Sequence, residues 1–207
     1  MKVSVSILKE ENNIKNAVKK LNDTSADYIH LDIMDNTFTN TSSKFVLSDF
    51  RNINNSKKYD IHLMSTNLDY QIEEAIKLNP EFITFHVEAT KDYKKYINKI
   101  KENNIKVGLA INPETNINDY KDVFTLADMI LVMSVVPGKG GQSFIEEIVQ
   151  KTRLIRENYK DKIISIDGGI NDITAKKVFN YVDILVSGNF ITSKDDYEKG
   201  ILLLKNN

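Results

Sequence analysis

The sequence predicts an α/β protein whose eight parallel strands alternate with helical segments and close into a barrel. Short, almost continuously apolar runs recur about every 26 residues along the 207-residue chain. Each run is followed by an amphipathic helix or by a shorter, weakly helical stretch. Such strict alternation indicates a parallel sheet buried on both faces, and eight units close a (β/α)8 barrel, the TIM-barrel fold.

An open, doubly wound sheet is the alternative arrangement of the same units. That fold usually carries a GxGxxG turn after a strand, and this sequence has no such turn. No linker-like stretch divides the chain either. We therefore expect a single TIM-barrel domain over residues 1–207.

Composition excludes several classes of function. A net charge of -1, with 28% charged residues, provides no basic surface for nucleic acid or anionic membranes. Because the chain has no cysteine, any metal must be bound by His, Asp or Glu. No run approaches the roughly 18 apolar residues of a membrane span, and the N-terminus has no signal pattern. We expect a cytoplasmic protein without nucleic-acid or membrane partners.

The predicted elements follow from hydrophobic periodicity and from end signals. The strands are predicted at Val3–Leu8, Asp27–Met34, Tyr59–Met64, Glu81–Val87, Ile105–Ile111, Asp128–Met133, Lys162–Ile166 and Val182–Val186. The clearest helices are predicted at Glu10–Leu21, Leu68–Leu78, Asp92–Glu102, Ser143–Tyr159 and Lys194–Leu204, with weaker helical segments after the second, fifth and seventh strands. Ser143, with Glu146 three residues on, is expected to cap the longest helix, and Asp172 is expected to cap the helix after strand seven.

The second strand carries an unusual pattern of polar residues. Alternation places His30, Asp32 and Met34 on one face of this strand. In a TIM barrel, active sites lie at the carboxyl ends of the strands. All three histidines of the chain belong to the polar residues that follow this rule, which are Ser6, His30, Asp32, His62, His86, Glu88, Asn112, Ser134, Asp167 and Ser187.

Two histidines and two aspartates of this set, His30, Asp32, His62 and Asp167, suit a divalent metal with mixed nitrogen and oxygen ligands. Zn²⁺, Fe²⁺, Mn²⁺ and Co²⁺ all fit, and a purely structural role for each histidine is the alternative. Asp32 and Asp167 come from distant strands and could face each other across a substrate. Two opposed carboxylates suit proton removal from one face of a carbon and return to the other, with the metal stabilising an enediolate.

Glycine-bearing loops follow strands six, seven and eight. They contain Gly138-Lys139-Gly140-Gly141, Gly168-Gly169 and Gly188-Asn189. Glycine lets backbone N–H groups approach an anion closely, so these loops predict a phosphate site, and simple turns are the alternative. Lys139 either adds charge to that site or points to solvent. Three further residues at strand ends, Met34, Met64 and Met133, either fill the core or line a pocket above the metal.

These residues resemble the ribulose-phosphate 3-epimerase family over nearly the whole chain, in the family's order. The matching segments are Ser6-Ile7-Leu8, His30 to Asp35, His62-Leu63-Met64, Phe85 to Ala89, Gly108 to Thr115, Met133-Ser134-Val135, Pro137-Gly138, Gly140-Gly141-Gln142 and Asp167 to Ile170.

The resemblance implies a TIM barrel that interconverts D-ribulose 5-phosphate and D-xylulose 5-phosphate by inverting C3, in the pentose phosphate pathway. It implies one divalent metal on His30, Asp32, His62 and Asp167, with Asp32 as proton acceptor and Asp167 as proton donor. It also implies a homo-oligomer. The implied substrate contacts are Ser6, His62, Gly138, Lys139, Gly140, Gly141, Gly168, Gly169, Gly188 and Asn189, and the methionines that cushion the intermediate are Met34, Met64 and Met133.

The chain departs from the family pattern at three loops. Asn36 stands where the family usually has Gly, before a changed stretch that ends at Thr41. Val136, Lys139 and Asn189 replace Asn, Phe and Ser. None of these is an implied metal ligand or proton-transfer group. Two alternatives stay open, namely a D-allulose 6-phosphate 3-epimerase and a barrel that binds sugar phosphates without catalysis.

Overall fold

A computed structural model describes residues 1–206, and its eight parallel strands form a closed barrel in chain order. β1 also pairs with β8, which closes the ring. The predicted (β/α)8 fold is confirmed, with strand ends shifted by at most two residues. The strands are β1 Lys2–Ser6, β2 Tyr28–Met34, β3 Lys58–Met64, β4 Phe82–His86, β5 Lys106–Ile111, β6 Met129–Met133, β7 Ile163–Asp167 and β8 Ile184–Ser187.

Helices follow the strands around the outside of the barrel. Each apolar stripe predicted from the sequence packs inward, as Ala17, Val18 and Leu21 do in α1. Within residues 1–206 no helix combines the length and the apolar character needed to cross a membrane. The helices are α1 Ile14–Asn22, α2 Leu68–Ile76, α3 Tyr93–Lys101, α4 Lys121–Phe124, α5 Ile148–Asn158, α6 Thr174–Val178, α7 Asn189–Thr192 and α8 Tyr197–Lys205.

The predicted start of the longest helix is wrong. α5 begins at Ile148 and not at Ser143, which makes no capping hydrogen bond there. The backbone N–H of Ile145 donates to the carbonyl of Ser134 at 2.9 Å. This bond ties the segment to the end of β6, so the chain runs across the barrel top before it can enter a helix.

Other helical segments also differ from the prediction. The first helix is predicted from Glu10, but α1 begins at Ile14, after a short 3₁₀ turn at Leu8–Glu10. The segment after β2 forms only the short 3₁₀ turn Leu47–Phe50. Asp172 does not cap α6; the side chain of Asn171 accepts hydrogen bonds from the backbone N–H groups of residues 173 and 174 instead. The helix predicted at Lys194–Leu204 begins three residues later, as α8 at Tyr197, where Asp196 caps it, and the separate short helix α7 precedes it.

The strands separate two interiors. Their outward residues, such as Val5, Leu31 and Leu63, form one buried cluster with the helices. Inside the barrel, Tyr28, Phe82, Met129 and Ile184 form an apolar floor. Polar residues lie further along the same inward faces, towards the carboxyl ends of the strands.

Candidate active site

Strand register brings the polar side chains of β2 and β3 together. Asp32 is paired with His62, and His30 with Asp60. Paired residues of neighbouring strands lie on the same face of a sheet, so all four enter the barrel. Each is buried, with at most 5% of its surface exposed. The predicted common face of His30 and Asp32 is therefore an interior face.

Asp167, at the end of β7, completes a compact group with His30, Asp32 and His62. One nitrogen or oxygen atom from each lies within 4.8 Å of the others. The Oδ1 atom of Asp32 is 3.3 Å from Nε2 of His30 and 3.4 Å from Nδ1 of His62. The Oδ2 atom of Asp167 is 3.6 Å from the same His62 nitrogen. We call these four residues the centre.

The centre fits a metal ion by the chemistry of its nitrogens. Nε2 of His30 and Nδ1 of His62 are buried, and neither has a hydrogen-bond partner among residues 1–206. A buried polar atom without a partner costs free energy, and a cation would satisfy both nitrogens. Two imidazoles and two carboxylates are ligands that suit several divalent ions, so the group could hold one without selecting which.

The outer nitrogen of His30 is fixed by a buried carboxylate. Nδ1 of His30 lies 2.9 Å from Oδ2 of Asp60, which also accepts from the Ser4 hydroxyl at 2.8 Å. A carboxylate cannot donate, so the proton on this face belongs to Nδ1. When His30 is neutral, as a metal ligand must be, Nε2 is therefore the nitrogen whose lone pair points into the centre.

A longer hydrogen-bonded chain fixes His62. Nε2 of His62 lies 2.8 Å from Nε2 of His86, and Nδ1 of His86 lies 3.2 Å from Oε2 of Glu88. Burial lowers the pKa of His86 to about 4. A neutral His86 that donates to Glu88 must accept from His62. Glu88 therefore sets the tautomer of His62 through His86, and Nδ1 of His62 keeps its lone pair for the centre.

Charge favours a cation at this point. Burial alone would lower the pKa of His30, but the carboxylates of Asp60 and Asp32 outweigh burial and raise it well above its usual value. The pKa of His62 is also raised, because Asp167 and Asp32 outweigh burial. Burial would raise the pKa of Asp32, yet the neighbouring imidazoles hold it far below its usual range. Asp32 is therefore ionised, and positive charge is stabilised beside it.

Residues around the centre hold Asp32 and enclose the space above it. The hydroxyl of Ser6 donates to Oδ2 of Asp32 at 2.7 Å. Met34, Met64 and Met133 are nearly buried and line the cleft that opens above the two aspartates. The three predicted strand-end methionines thus line the same cleft as Asp32 and Asp167.

A rim of glycine-bearing loops surrounds this cleft, which has a volume of about 670 Å³. Gly138, Gly141, Gly168 and Gly169 all have a positive φ. At Gly169 a Cβ atom would lie 2.6 Å from the backbone nitrogen of Phe144, so only glycine fits. Glycine is therefore required for the turn, which agrees with the alternative that these glycines only form turns. A turn alone does not account for the backbone N–H groups of these loops that have no acceptor within the described part of the chain.

Backbone N–H groups of the rim are available to a ligand. Those of Gly140, Gly141 and Gly169 donate to no other residue within 1–206. The predicted rim residues Gly188 and Asn189 line the same cleft, and Lys139 does so from an exposed position. Centre and rim thus share one opening, with the centre at the base and the loops at the mouth.

Comparison with known protein sequences places this chain in a family. A model of the ribulose-phosphate 3 epimerase family matches residues 2–192. A ribulose-phosphate 3-epimerase of Buchnera aphidicola subsp. Acyrthosiphon pisum is 38% identical over 177 residues, which cover 83% of this chain and 75% of the relative. One of Bacillus subtilis is 31% identical over 210 residues, which cover 97% and 96%. This chain belongs to the ribulose-phosphate 3-epimerase family.

Comparison with solved structures supports the fold and nothing beyond it. The crystal structure of a 3-hexulose-6-phosphate synthase superposes with a TM-score of 0.71 at 15% identity, covering 100% of this chain and 99% of the other. The family assignment therefore rests on the sequence matches, and the barrel is common to more distant proteins.

The stretch in which the chain departs from the family pattern after β2 begins with a residue in the left-handed conformation. Asn36 has a φ of 62°, in the left-handed region that glycine and asparagine adopt most readily. Its N–H donates to the carbonyl of Thr41 at 3.1 Å, which closes the turn. The hydroxyl of Thr41 donates to the carbonyl of Gly138, and Phe38 lies on the ring of His86 with centroids 4.5 Å apart. The loop therefore contacts both the rim and the chain behind His62.

Several functional neighbours were missed from the sequence. Asp60 follows the same alternation as His62 and Met64, so the strand pattern could have identified it. Ser4 lies two residues before Ser6 on β1 and was identifiable in the same way. His86 and Glu88 were recognised as strand-end residues without a role. Lys9 carried no signal, because only the folded chain places it at the rim.

Proposed function

We propose that the protein is a divalent-metal-dependent epimerase that interconverts D-ribulose 5-phosphate and D-xylulose 5-phosphate by inverting C3. The observation that carries this proposal is the pair of aspartates, Asp32 and Asp167, at the base of a cleft of about 670 Å³, beside two buried imidazole nitrogens that have no hydrogen-bond partner among residues 1–206. Membership of the family supports the same reaction and the same class of substrate.

Proton transfer is assigned to the two aspartates. The Asp32 carboxylate, held by Ser6 at one oxygen, removes the C3 proton, and the electrons of that C–H bond enter an enediolate. The protonated Asp167 carboxyl returns a proton to the opposite face of C3. In the reverse direction the two groups exchange roles, and both re-equilibrate with solvent between turnovers in the same direction.

A divalent ion held by His30, Asp32, His62 and Asp167 would supply charge stabilisation to the enediolate oxygens. Met34, Met64 and Met133 would cover the planar intermediate and exclude water from it. Free N–H groups of the rim, at Gly140, Gly141 and Gly169, would bind the substrate phosphate, with Gly138, Gly168, Gly188, Asn189 and Lys139 around it.

Other features stay predictions from the sequence or, for the assembly, from the resemblance. They are a single domain over residues 1–207, a homo-oligomeric assembly, a cytoplasmic location and the choice among Zn²⁺, Fe²⁺, Mn²⁺ and Co²⁺. Among these, the metal has the most direct consequence for the reaction, because it decides how strongly the enediolate charge is stabilised.

An assay on ribulose 5-phosphate after chelation, with separate re-addition of each metal, tests reaction, substrate and cofactor together. We expect chelation to remove the activity and at least one metal to restore it, with deuterium incorporated at C3 in D₂O. Failure to form xylulose 5-phosphate with any of the four metals would overturn the proposal. Faster turnover of allulose 6-phosphate in the same assay would reassign the substrate and keep the chemistry.

A further inference from the structure

Four lysines line the cleft, and they differ in what surrounds them. Lys177 forms an ion pair with Glu146 at 2.5 Å. The ammonium of Lys194 lies 4.5 Å from the ring centroid of Phe190. Lys139 is exposed on the rim itself. Lys9 is the fourth, and it lies in the short turn Leu8–Glu10 that follows β1.

Lys9 crosses the glycines of the rim at contact distance. A Cβ atom on Gly140 would lie 3.3 Å from Cε of Lys9, and one on Gly141 would lie 3.9 Å from its Nζ atom. Within residues 1–206 no carboxylate lies within 4.0 Å of this ammonium. Its charge is therefore not neutralised by the protein at the point where the backbone N–H groups are free.

A phosphate bound at the rim would need such a charge. The second pKa of a phosphate monoester is about 6, so the group carries close to two negative charges at neutral pH. The glycine N–H groups offer only neutral dipoles. A lysine within reach adds a charge-assisted hydrogen bond, which is roughly twice as strong as a neutral one. β1 supports this arrangement, because its end also holds Ser6 against the centre.

We propose that Lys9 is a substrate-binding residue that pairs its ammonium with the phosphate of the substrate and sets the preference for phosphorylated over free sugars. This inference rests on the proposed function, since it assigns a ligand to one residue of the same cleft. The end of β1 then has two roles, because Ser6 orients the Asp32 carboxylate and Lys9 binds the phosphate.

Lys9→Met tests the proposal, with Lys177→Met as a control that removes the same charge from the same cleft. We expect Lys9→Met to raise KM for ribulose 5-phosphate about tenfold and to weaken competitive inhibition by inorganic phosphate by the same factor. We expect kcat and metal affinity to change little. Lys9→Arg should restore most of the loss, and Lys177→Met should change each constant less than about twofold, because Glu146 already neutralises that lysine.

Two outcomes would overturn the role of Lys9. One is an active wild-type enzyme whose Lys9→Met variant keeps its KM and its phosphate inhibition. The other is an equal loss of substrate affinity and phosphate inhibition in Lys177→Met. That result would indicate a long-range electrostatic effect of positive charge and not a direct contact with the phosphate. If the wild-type enzyme has no epimerase activity, the proposed function fails instead. Direct titration of wild type and Lys9→Met with inorganic phosphate then still decides whether Lys9 binds the anion.

Discussion

The centre and the rim of the same cleft are built in opposite ways. Three of the four side chains of the centre have a protein partner on their outer side, which is Asp60 for His30, Ser6 for Asp32 and His86 for His62. The rim relies on backbone N–H groups and on side chains that are largely exposed. His30, Asp32 and His62 are thus buried and held by the protein before any ligand arrives, whereas the rim offers interactions that only a ligand completes.

This difference indicates how each region contributes to function. A buried centre fixes ligand atoms within a fraction of an ångström, so loss of one group leaves its neighbours unsatisfied. An open rim spreads binding over several weak contacts, and loss of one leaves the others in place. Substitutions should therefore have all-or-none effects in the centre and graded effects at the rim.

The largest effect is expected for Asp32→Asn and Asp167→Asn. Each removes one proton-transfer group, so epimerisation should fall by about 10²–10⁴-fold while the fold survives. Rates of C3 inversion and circular dichroism measure the two properties. A near-normal rate in either variant would contradict the two-carboxylate mechanism.

Asp60→Asn should weaken metal binding about 10–100-fold without removing a ligand. The amide can still face Nδ1 of His30, but it no longer fixes the imidazole as a carboxylate does. Competition with a coloured chelator measures the affinity. Asp128→Asn is the matched control, because that carboxylate accepts from Val107 N–H far from the centre. Equal metal affinities in the two variants would argue against a role for Asp60 in holding the imidazole of His30.

Gly169→Ala should destabilise the rim by about 1–3 kcal/mol. The new methyl group would meet the backbone of Phe144, and the φ of 63° disfavours alanine. Gly140→Ala is the control, since its Cβ atom would meet only the side-chain ends of Lys9 and Leu8, at 3.3 Å and 3.4 Å, and no backbone atom. Thermal unfolding should show a Tm loss of about 2–4 °C per kcal/mol for the first variant. A smaller loss of Tm in Gly169→Ala than in Gly140→Ala would show that the loop backbone moves to accommodate the methyl group.

The smallest effect is expected for Asn36→Gly. Both residues adopt the left-handed conformation, so the free energy of unfolding should change by only a few tenths of a kcal/mol, whereas Asn36→Val should cost about 1–2 kcal/mol. Urea unfolding separates the two variants. A large loss in Asn36→Gly would mean that the side chain, and not the backbone, maintains this loop.

The sequence was most informative where alternation encodes position. The period of two in β2 was sufficient to place His30, Asp32 and Met34 on one interior face, and eight repeats were sufficient to indicate a closed barrel. Asp60 was within reach of the same reasoning, because it shares its face with His62.

Loops were less predictable, since long-range contacts shape them. The start of α5 depends on the bond from Ile145 to Ser134, which local helix signals cannot reveal. The position of Lys9 depends on Gly140 and Gly141, about 130 residues away along the chain. Such contacts exist only in the folded molecule, so neither could be read from periodicity.

Closure of the sheet between β1 and β8 has a consequence for folding. If that seam were open, β2 and β7 would be five strand spacings apart, about 24 Å, and Asp167 could not reach His30. In the closed ring, ligand atoms of these two residues lie within 4.8 Å. A cation that binds the centre thus binds only the completed ring, and by mass action it stabilises that ring against opening at the seam.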